Sequence, residues 1–405
     1  MIMRIMKYGM LPALAAGVLA FAASSCTDDS FPGLSDSPVI EGRPEEVTVL
    51  VGDYGRMNGT KGSGAVGDRW NWAERGAELK VFAFRRDTPD LSRFASDGGG
   101  ACLIDGSLDI PGARSGRSAT FLPPEYELRW TASEGRLYYP SGKVPYCFFA
   151  YGTGGLDVPE DDIRREAASI SFPLKIDGAA DLMYGWAEPT VSQLGLTPSL
   201  GLSEEEMKGF GDLCFSDFTA RHGIVPVLNF HHALSRISFD IYPGEEGCNS
   251  VIVDHISVTS KDSCIFTVAS TDSTSFPLGA DFSRDAKDAV LLLAEADGSA
   301  LNDTLYHTSY YGDFREDVLD RPHVRVGGSF LLPQDSEYKF VVGTRKKGYD
   351  IAVESELTLR PKRSDIFRAG SHYVVRLVIN DLIPVAFDVD YDDWGIGGDI
   401  DVGGN

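Results

Sequence analysis

Short runs in which every second residue is apolar recur along most of this chain, and they limit the folds open to it. Side chains on a strand alternate between two faces, so such runs predict strands with one buried face. Glycine, with 44 residues, and proline, with 21, separate the runs and supply the turns between short strands. The clearest runs are 47–51, 79–84, 144–151, 168–172, 224–230, 237–242, 251–258, 289–293, 338–342, 351–359, 373–379 and 385–391.

Helical signals are few and short, at 159–167 and at 203–207, where Ser203 precedes three glutamates. Many short strands with such punctuation predict an all-β chain built from β-sandwiches. The chain is too long for one comfortable core, so we expect two sandwiches in tandem.

Strand periodicity is lost between residues 191 and 223, where Gly, Pro and acidic residues gather. We therefore predict an N-terminal sandwich over 44–195, a linker over 196–222 and a C-terminal sandwich over 223–405.

The N-terminus has the pattern of a signal peptide over residues 1–25. Arg4 and Lys7 precede an apolar stretch, 10–23, that is too short to span a bilayer as a stable helix.

Small residues lead into a cysteine at Ala23-Ser24-Ser25-Cys26, which resembles a bacterial lipobox. This resemblance implies that Cys26 is lipidated and that 26–43 tether the protein to a membrane without spanning it. The acidic residues that follow, Asp28 and Asp29, resemble a surface-export signal. A plain secretory signal and a solvated acidic linker are the alternatives.

The formal net charge of −23 argues against nucleic acid or anionic lipid as a partner, because phosphates require a clustered basic face. The remaining cysteines are sparse and contain no C-x-x-C pair, so no disulfide framework or zinc site is predicted. Cys248 and Cys264 could pair, but small buried residues are the favoured interpretation.

Two motifs resemble ligand loops but lack a necessary part. Residues 62–67 match G-x-G-x-x-G, yet no helix pattern follows, so we predict a flexible loop and no cofactor. Asp388, Asp390 and Asp392 have calcium-loop spacing, but Asp393 stands where the loop needs glycine. A strand with acidic residues facing water is the preferred interpretation.

No catalytic motif is present, and neither an enzyme nor a metal site is predicted. His231 and His232 are adjacent, so on a strand they point to opposite faces and cannot share a metal ion. The tryptophans could stack on sugar rings, although core packing is preferred. They are Trp70, Trp72, Trp130, Trp186 and Trp394.

Several segments in order along the chain resemble the fimbrillin family. They are Trp72-Ala73-Glu74 before 79–84, Tyr138-Tyr139-Pro140-Ser141-Gly142 before 147–151, Asp181-Leu182-Met183-Tyr184-Gly185, 225–240 (VPVLNFHHALSRISFD), 330–334 (FLLPQ) and 367–373 (FRAGSHY). The resemblance spans nearly the whole chain after the signal peptide. It implies two transthyretin-like β-sandwich domains and a structural role in a surface fimbria of the type V pilus kind.

The family resemblance also implies assembly by donor-strand exchange. A trypsin-like protease removes the first strand, and a strand of a neighbouring subunit fills the groove that opens. The departing plug strand would carry Val47, Val49 and Val51. Four alternating residues suit a donor, although they could equally form the last strand of their own domain: Val385, Phe387, Val389 and Tyr391.

Arg56 is the preferred cleavage site because it follows the plug strand in a polar segment. Arg43 precedes Pro44, which such proteases disfavour, and Arg69 and Arg75 are rivals. An ordinary solvated arginine is the alternative interpretation. If the chain is an anchor subunit, no cut is made.

The resemblance implies partners and a location as well. The expected partners are other fimbrial subunits, the outer membrane through the lipid, and a host glycan or protein receptor. The expected location is the cell surface, on the outer membrane or in the fimbrium. A surface glycan-binding lipoprotein and a membrane-retained anchor or accessory subunit are the alternatives.

Overall fold

A computed structural model describes most of the chain after residue 42, and it is built mainly from strands. The described residues are 43–51, 77–121, 127–132, 136–210, 214–244, 251–283, 287–294, 301, 323–361, 365–380, 383–392 and 400–403. For 383–392 and 400–403 only the backbone is described. Short strands joined by turns confirm the all-β prediction.

The first half of the chain supplies most of an eight-stranded sheet. In spatial order its strands are β1 (Leu50–Val51), β10 (Val227–His232), β9 (Met183–Ala187), β6 (Tyr146–Gly152), β2 (Ala77–Arg85), β4 (Arg117–Phe121) and β5 (Arg129–Trp130), with β3 (Cys102–Ile104) paired to β2. Both faces are buried on strand β2, where Val81 packs into one core and Phe82 into another. The near-continuous apolar sequence of this strand follows from that double burial.

A four-stranded sheet covers the second of these faces. Its order is β14 (Gly279–Asp281), β13 (Ser263–Ser270), β8 (Ser169–Lys175) and β7 (Arg164–Arg165). Phe172 of β8 and Phe266 of β13 meet edge to face at 5.7 Å in the core between the two sheets. Because β8 and β13 come from opposite sides of the predicted linker, the two halves of the chain share this sheet. The domain boundaries stay a prediction.

The second half forms a sandwich of two sheets. One has the order β16 (Val324–Leu332), β11 (Ser235–Pro243), β19 (His372–Asn380) and β20 (Ile383–Asp392). The other has the order β15 (Asp288–Leu292), β12 (Val251–Lys261), β17 (Tyr338–Lys346), β18 (Val353–Pro361) and β21 (Ile400–Gly403). Phe239 and Phe340 pack edge to face across the core at 5.2 Å.

Helices in the described residues are short. They are α1 (Val191–Gly195), α2 (Glu204–Lys208) and α3 (Asp217–Ala220). Helix α2 matches the prediction at 203–207, because Ser203 caps it and Glu206 completes the capping box. No helix of the described part is long and apolar enough to cross a membrane.

The predicted helix at 159–167 is wrong. The structure has one 3-10 turn, Glu160–Asp162, followed by the extended pair β7, which joins the sheet beside β8. Arg165 favours the extended conformation, because its guanidinium forms a buried ion pair with Asp105 at 2.6 Å. A contact across 60 residues overrides the local helical signal.

Candidate functional site

The first-strand segment, residues 45–51, lies between the two ends of the eight-stranded sheet. On one side it pairs antiparallel with the chain leading to β5 and beyond. The N–H of Val47 donates to the carbonyl of Leu137 at 2.8 Å, and the N–H of Leu128 donates to the carbonyl of Val49 at 2.9 Å. Leu128 directly precedes β5, which is one end of the sheet.

On its other side the segment pairs with β10, the strand next to it at the opposite end. The N–H of Leu50 donates to the carbonyl of Pro226 at 2.9 Å. Leu50 and Val51 then lie parallel to Val227 and Leu228. The first-strand segment therefore bridges both ends of the sheet through its own backbone.

The segment buries every second side chain. Val47, Val49 and Val51 are 3%, 1% and 1% exposed, whereas Glu46 is exposed and Thr48 is half-buried. Complete burial of a valine contributes about 1.5–3 kcal/mol, so the three together make a large contribution to the stability of this half. The core that they enter is called the first-strand core here, and it includes Tyr139, Tyr146, Phe148, Phe215 and Leu228.

Two features of the first-strand core are unfavourable. Phe215 is fully buried with a φ of 63°, a left-handed conformation that costs a non-glycine residue about 1–2 kcal/mol. Its ring packs edge to face on Phe148 at 5.8 Å, which holds it in place. The buried hydroxyl of Tyr139 has no hydrogen-bond partner among the described residues, and burial raises the pKa of this phenol. Most buried polar groups in folded proteins have a hydrogen-bond partner, so an unpartnered buried hydroxyl is uncommon.

A polar cluster, called the Asp217 latch here, holds the start of the segment. The Asp217 carboxylate accepts hydrogen bonds from the N–H of Glu45 at 2.8 Å and from the N–H of Gly142 at 3.2 Å. Arg221 donates to the same carboxylate at 3.0 Å and forms an ion pair with Glu45 at 3.4 Å. Its guanidinium also donates to the carbonyl of Arg43.

Local sequence explains how the latch is presented. Ser216 caps α3 and forms a capping box with Thr219, so Asp217 begins the helix and Arg221 follows it. The i, i+4 spacing places the two charges side by side. Burial alone would raise the pKa of Asp217, but hydrogen bonds from Arg221 and from backbone N–H groups outweigh it and lower that pKa.

The predicted lipidation and cleavage residues are not described by the structure. Cys26, Arg56, Arg69 and Arg75 lie outside the described residues. Arg43 is exposed beside the Asp217 latch. The assignment of Arg56 as the cut therefore stays a prediction.

The predicted donor strand is β20, which lies at the end of its sheet. It pairs antiparallel with β19 so that Val385, Val389 and Tyr391 oppose Val378, Val375 and Tyr373. Phe387 falls where the register shifts, between the partners of Arg376 and Leu377. Among the described strands of this sheet, β20 has only β19 beside it.

The remaining motifs do not form a metal site in the described part of the chain. Residues 62–67 lie outside it, and the side chains of Asp388, Asp390 and Asp392 are not described. No group of three or more metal-ligating side chains occurs among the described residues. His232 contacts Asp181 at 2.9 Å, whereas His231 stacks on Trp186.

Two described cysteines, Cys147 and Cys264, are poor nucleophiles because their thiols are largely buried. Cys264 is buried and unpaired, while its predicted alternative partner Cys248 is not described. Burial raises the pKa of Cys147 to about 11 and that of Cys264 to about 12, so both thiols are protonated at neutral pH.

The sequence predicts the first-strand segment but not the latch that holds it. The alternation at 47–51 was visible, but Asp217 and Arg221 lie about 170 residues away from the backbone they hold. The spacing of Asp217 and Arg221 behind a serine cap was the available signal, and it predicts only a short helix.

Comparison with known proteins adds distant likenesses. No protein-family model matches the chain, and no protein of curated function does. A candidate cell adhesion protein from Bacteroides uniformis superposes with a TM-score of 0.44 at 13% identity, covering 88% of this chain and 100% of its own.

Two fimbrial proteins from Porphyromonas gingivalis are also similar. The fimbrial anchor protein Mfa2 has a TM-score of 0.31 at 14% identity, with 88% of this chain and 100% of its own covered. The tip fimbrial protein Mfa3, truncated at its C-terminus, has a TM-score of 0.34 at 10% identity. The superposition covers 86% of this chain and 100% of Mfa3.

Proposed function

We propose that this chain is a subunit of a cell-surface fimbria that contributes to adhesion and assembles by donor-strand exchange. In this account the first-strand segment leaves and a β-segment of a neighbouring subunit takes its place. The proposal rests on the way in which the first-strand segment is held between the two ends of the eight-stranded sheet. Val47, Val49 and Val51 are buried there while the segment's backbone bonds to both ends of the sheet.

Loss of the segment would create a binding groove with defined chemistry. The N–H of Leu128 and the carbonyls of Leu137 and Pro226 would lose their partners. An extended strand would form hydrogen bonds with the unpaired backbone groups on both edges of the groove. Its alternate apolar side chains would fill the apolar space between those edges. A partner strand is therefore favoured over a small ligand.

The unfavourable features of the first-strand core support a replaceable segment. Phe215 keeps a left-handed conformation, and the Tyr139 hydroxyl is buried without a partner. Together they cost on the order of 2–5 kcal/mol in the uncut protein. A donor that places a polar group beside the Tyr139 hydroxyl would relieve part of that cost, which favours exchange.

Strand β20 is the proposed donor. Its sequence alternates apolar Val385, Phe387 and Val389 with acidic residues, and it ends a sheet with one described neighbour. When β20 enters the groove of a second copy, it loses its pairing with β19. It gains backbone hydrogen bonds to both edges of the groove that the first-strand segment has left. The acidic residues would face water, in keeping with their spacing.

Lipidation at Cys26 would hold the precursor on the outer membrane until the cut, after which polymerisation proceeds at the cell surface. The predicted domain over 44–195 would form the acceptor groove together with β10, and the rest of the predicted domain over 223–405 would supply the donor. The other fimbrial subunits are the expected protein partners.

Trypsin treatment of the purified precursor tests this proposal. We expect one N-terminal fragment carrying residues 45–51 to be lost, with cleavage after Arg56, followed by ladders that resist SDS. Mass spectrometry identifies the fragment and gel electrophoresis detects the ladders. Arg56→Ala should stay uncut at this site and monomeric, whereas the control Arg69→Ala should behave as wild type.

The two parts of this prediction fail separately. Ladders from Arg56→Ala equal to those of wild type would show that the cut lies elsewhere. A cut wild-type protein that loses residues 45–51 and yet remains monomeric would contradict assembly by strand exchange.

A further inference from the structure

A cleft of about 690 Å³ opens between the eight-stranded sheet and the loop that joins β13 to β14. Its floor is formed by Tyr184 and Trp186 of β9 and Phe149 of β6, and Ser273 and Leu278 of the loop form a wall. This volume falls within the range of about 300–1,000 Å³ that is typical of small-molecule sites. Phe149, Tyr184 and Trp186 pack with the core on the sheet face away from the first-strand core, whereas Phe148 and Ala187, which also line the cleft, belong to the first-strand core.

Strand pairing builds an aromatic group at this cleft. His231 of β10 stands directly opposite Tyr184 of β9. The rings of Trp186 and His231 lie 17° from parallel with centroids 4.7 Å apart, and those of Tyr184 and His231 lie 29° from parallel at 5.6 Å. Tyr184 and Trp186 are half-buried and His231 is exposed, although neighbouring aromatics on the same face are fully covered.

The polar groups at the cleft are mixed in kind. The exposed Glu188 carboxylate accepts the indole N–H of Trp186 at 3.0 Å, which fixes the indole and leaves carboxylate lone pairs toward the cleft. Arg86 and the hydroxyl of Ser273 also line it. Desolvation of the ring, which is stacked on Trp186 and Tyr184, and the neighbouring His232 lower the pKa of His231, so its ring is neutral at pH 7 and adds no positive charge.

This mixture selects among ligand classes. A phosphate or polyanion needs clustered positive charge, which one arginine beside a carboxylate does not provide. An acyl chain needs an enclosed apolar cavity, whereas this cleft is open and has polar groups along its wall. A ring with one apolar face and hydroxyls around its edge matches an aromatic floor with mixed donors and acceptors.

We propose that this cleft binds a pyranose ring of a glycan. The half-exposed indole of Trp186 contacts the apolar C–H face of the sugar, and the Glu188 carboxylate accepts hydrogen bonds from its hydroxyls. Arg86 and Ser273 complete the polar contacts. The site gives the chain a carbohydrate-binding activity that does not depend on the cut or on strand exchange.

Saturation-transfer NMR on the uncut precursor, with a fixed panel of sugars, tests the site. The probes are D-glucose, D-galactose, D-mannose, N-acetyl-D-glucosamine and L-fucose, and the acyclic alcohol sorbitol is the control ligand. At least one pyranose should bind through ring C–H protons while sorbitol does not. Trp186→Ala should lower the affinity by at least about tenfold, which corresponds to about 1.4 kcal/mol.

Two further variants separate binding from folding. Glu188→Gln changes an exposed side chain and should weaken the same sugar by about threefold to tenfold with unchanged thermal unfolding. Trp130→Ala is the matched control, because Trp130 lies on β5 beneath the Arg117 guanidinium, at 5.2 Å, and not in the cleft. Its sugar affinity should equal that of wild type.

Three results would overturn the proposal. They are no pyranose binding above the sorbitol level, sugar binding that neither Trp186→Ala nor Glu188→Gln weakens, and binding of free indole with no sugar bound. Because the measurement uses uncut protein, its failure is distinct from a failure of assembly.

Discussion

Replacing Val49 with aspartate is expected to lower the free energy of unfolding of the uncut precursor by about 4 kcal/mol. The side chain of Val49 is 1% exposed and lies in an apolar core with Leu128 and Leu228. A carboxylate there must either stay charged without a partner or take up a proton, and both outcomes disfavour the folded state. Urea unfolding, followed by circular dichroism, measures the loss.

Thr48→Asp is the matched control for this prediction. Thr48 is the adjacent residue on the same strand, but it is half-buried and its side chain faces away from the first-strand core. We expect its effect to be within about 1 kcal/mol of wild type. Equal unfolding of Val49→Asp and wild type would contradict the burial of this strand in the precursor.

Asp217→Ala is expected to destabilise the uncut precursor by about 2–4 kcal/mol and to loosen the first-strand segment. The substitution leaves the N–H groups of Glu45 and Gly142 and the Arg221 guanidinium without their shared acceptor. Asp217 is 5% exposed, so water replaces this acceptor poorly. Hydrogen exchange at residues 45–51 should accelerate, and urea unfolding should report the loss of stability.

Glu45→Ala provides the control for the latch. It removes only the partly exposed ion pair between Glu45 and Arg221 and keeps the backbone N–H bond to Asp217. A loss of less than about 1 kcal/mol is expected. If Asp217→Ala and Glu45→Ala had the same small effect, Asp217 would not hold the segment.

The latch should also weaken in acid. The pKa of Asp217 lies below its ordinary value of 3.8, so the carboxylate contributes stability that is present above about pH 4. That contribution is lost as the pH falls through the folded-state pKa. The stability difference between wild type and Asp217→Asn should therefore shrink as the pH is lowered below 4.

Much of the strand content could be predicted because it follows from local alternation. Residues 146–152 and 372–380 form strands close to the predicted runs, since apolar side chains at alternate positions need a buried face. The same signal marked residues 47–51. The first-strand segment is therefore a case in which local pattern and tertiary burial agree.

The arrangement of those strands depended on contacts that local patterns do not contain. Pairing of β8 with β13 joins residues about 90 apart, and the hydrogen bond from Glu45 to Asp217 spans 172 residues. The mistaken helix at 159–167 has the same origin, because Arg165 is fixed by Asp105. The aromatic cleft likewise needs β9, β10 and the loop after β13 to meet.

A peptide-binding titration with the cut protein tests strand exchange most directly. The probe is a fluorescent peptide with the sequence of β20, residues 383–392, measured by anisotropy against precursor that has lost residues 45–51. We predict saturable binding to the cut protein, loss of binding when Val385 and Val389 of the peptide are replaced by aspartate, and no binding to the uncut precursor. Equal binding to cut and uncut protein, or none to either, would contradict the account.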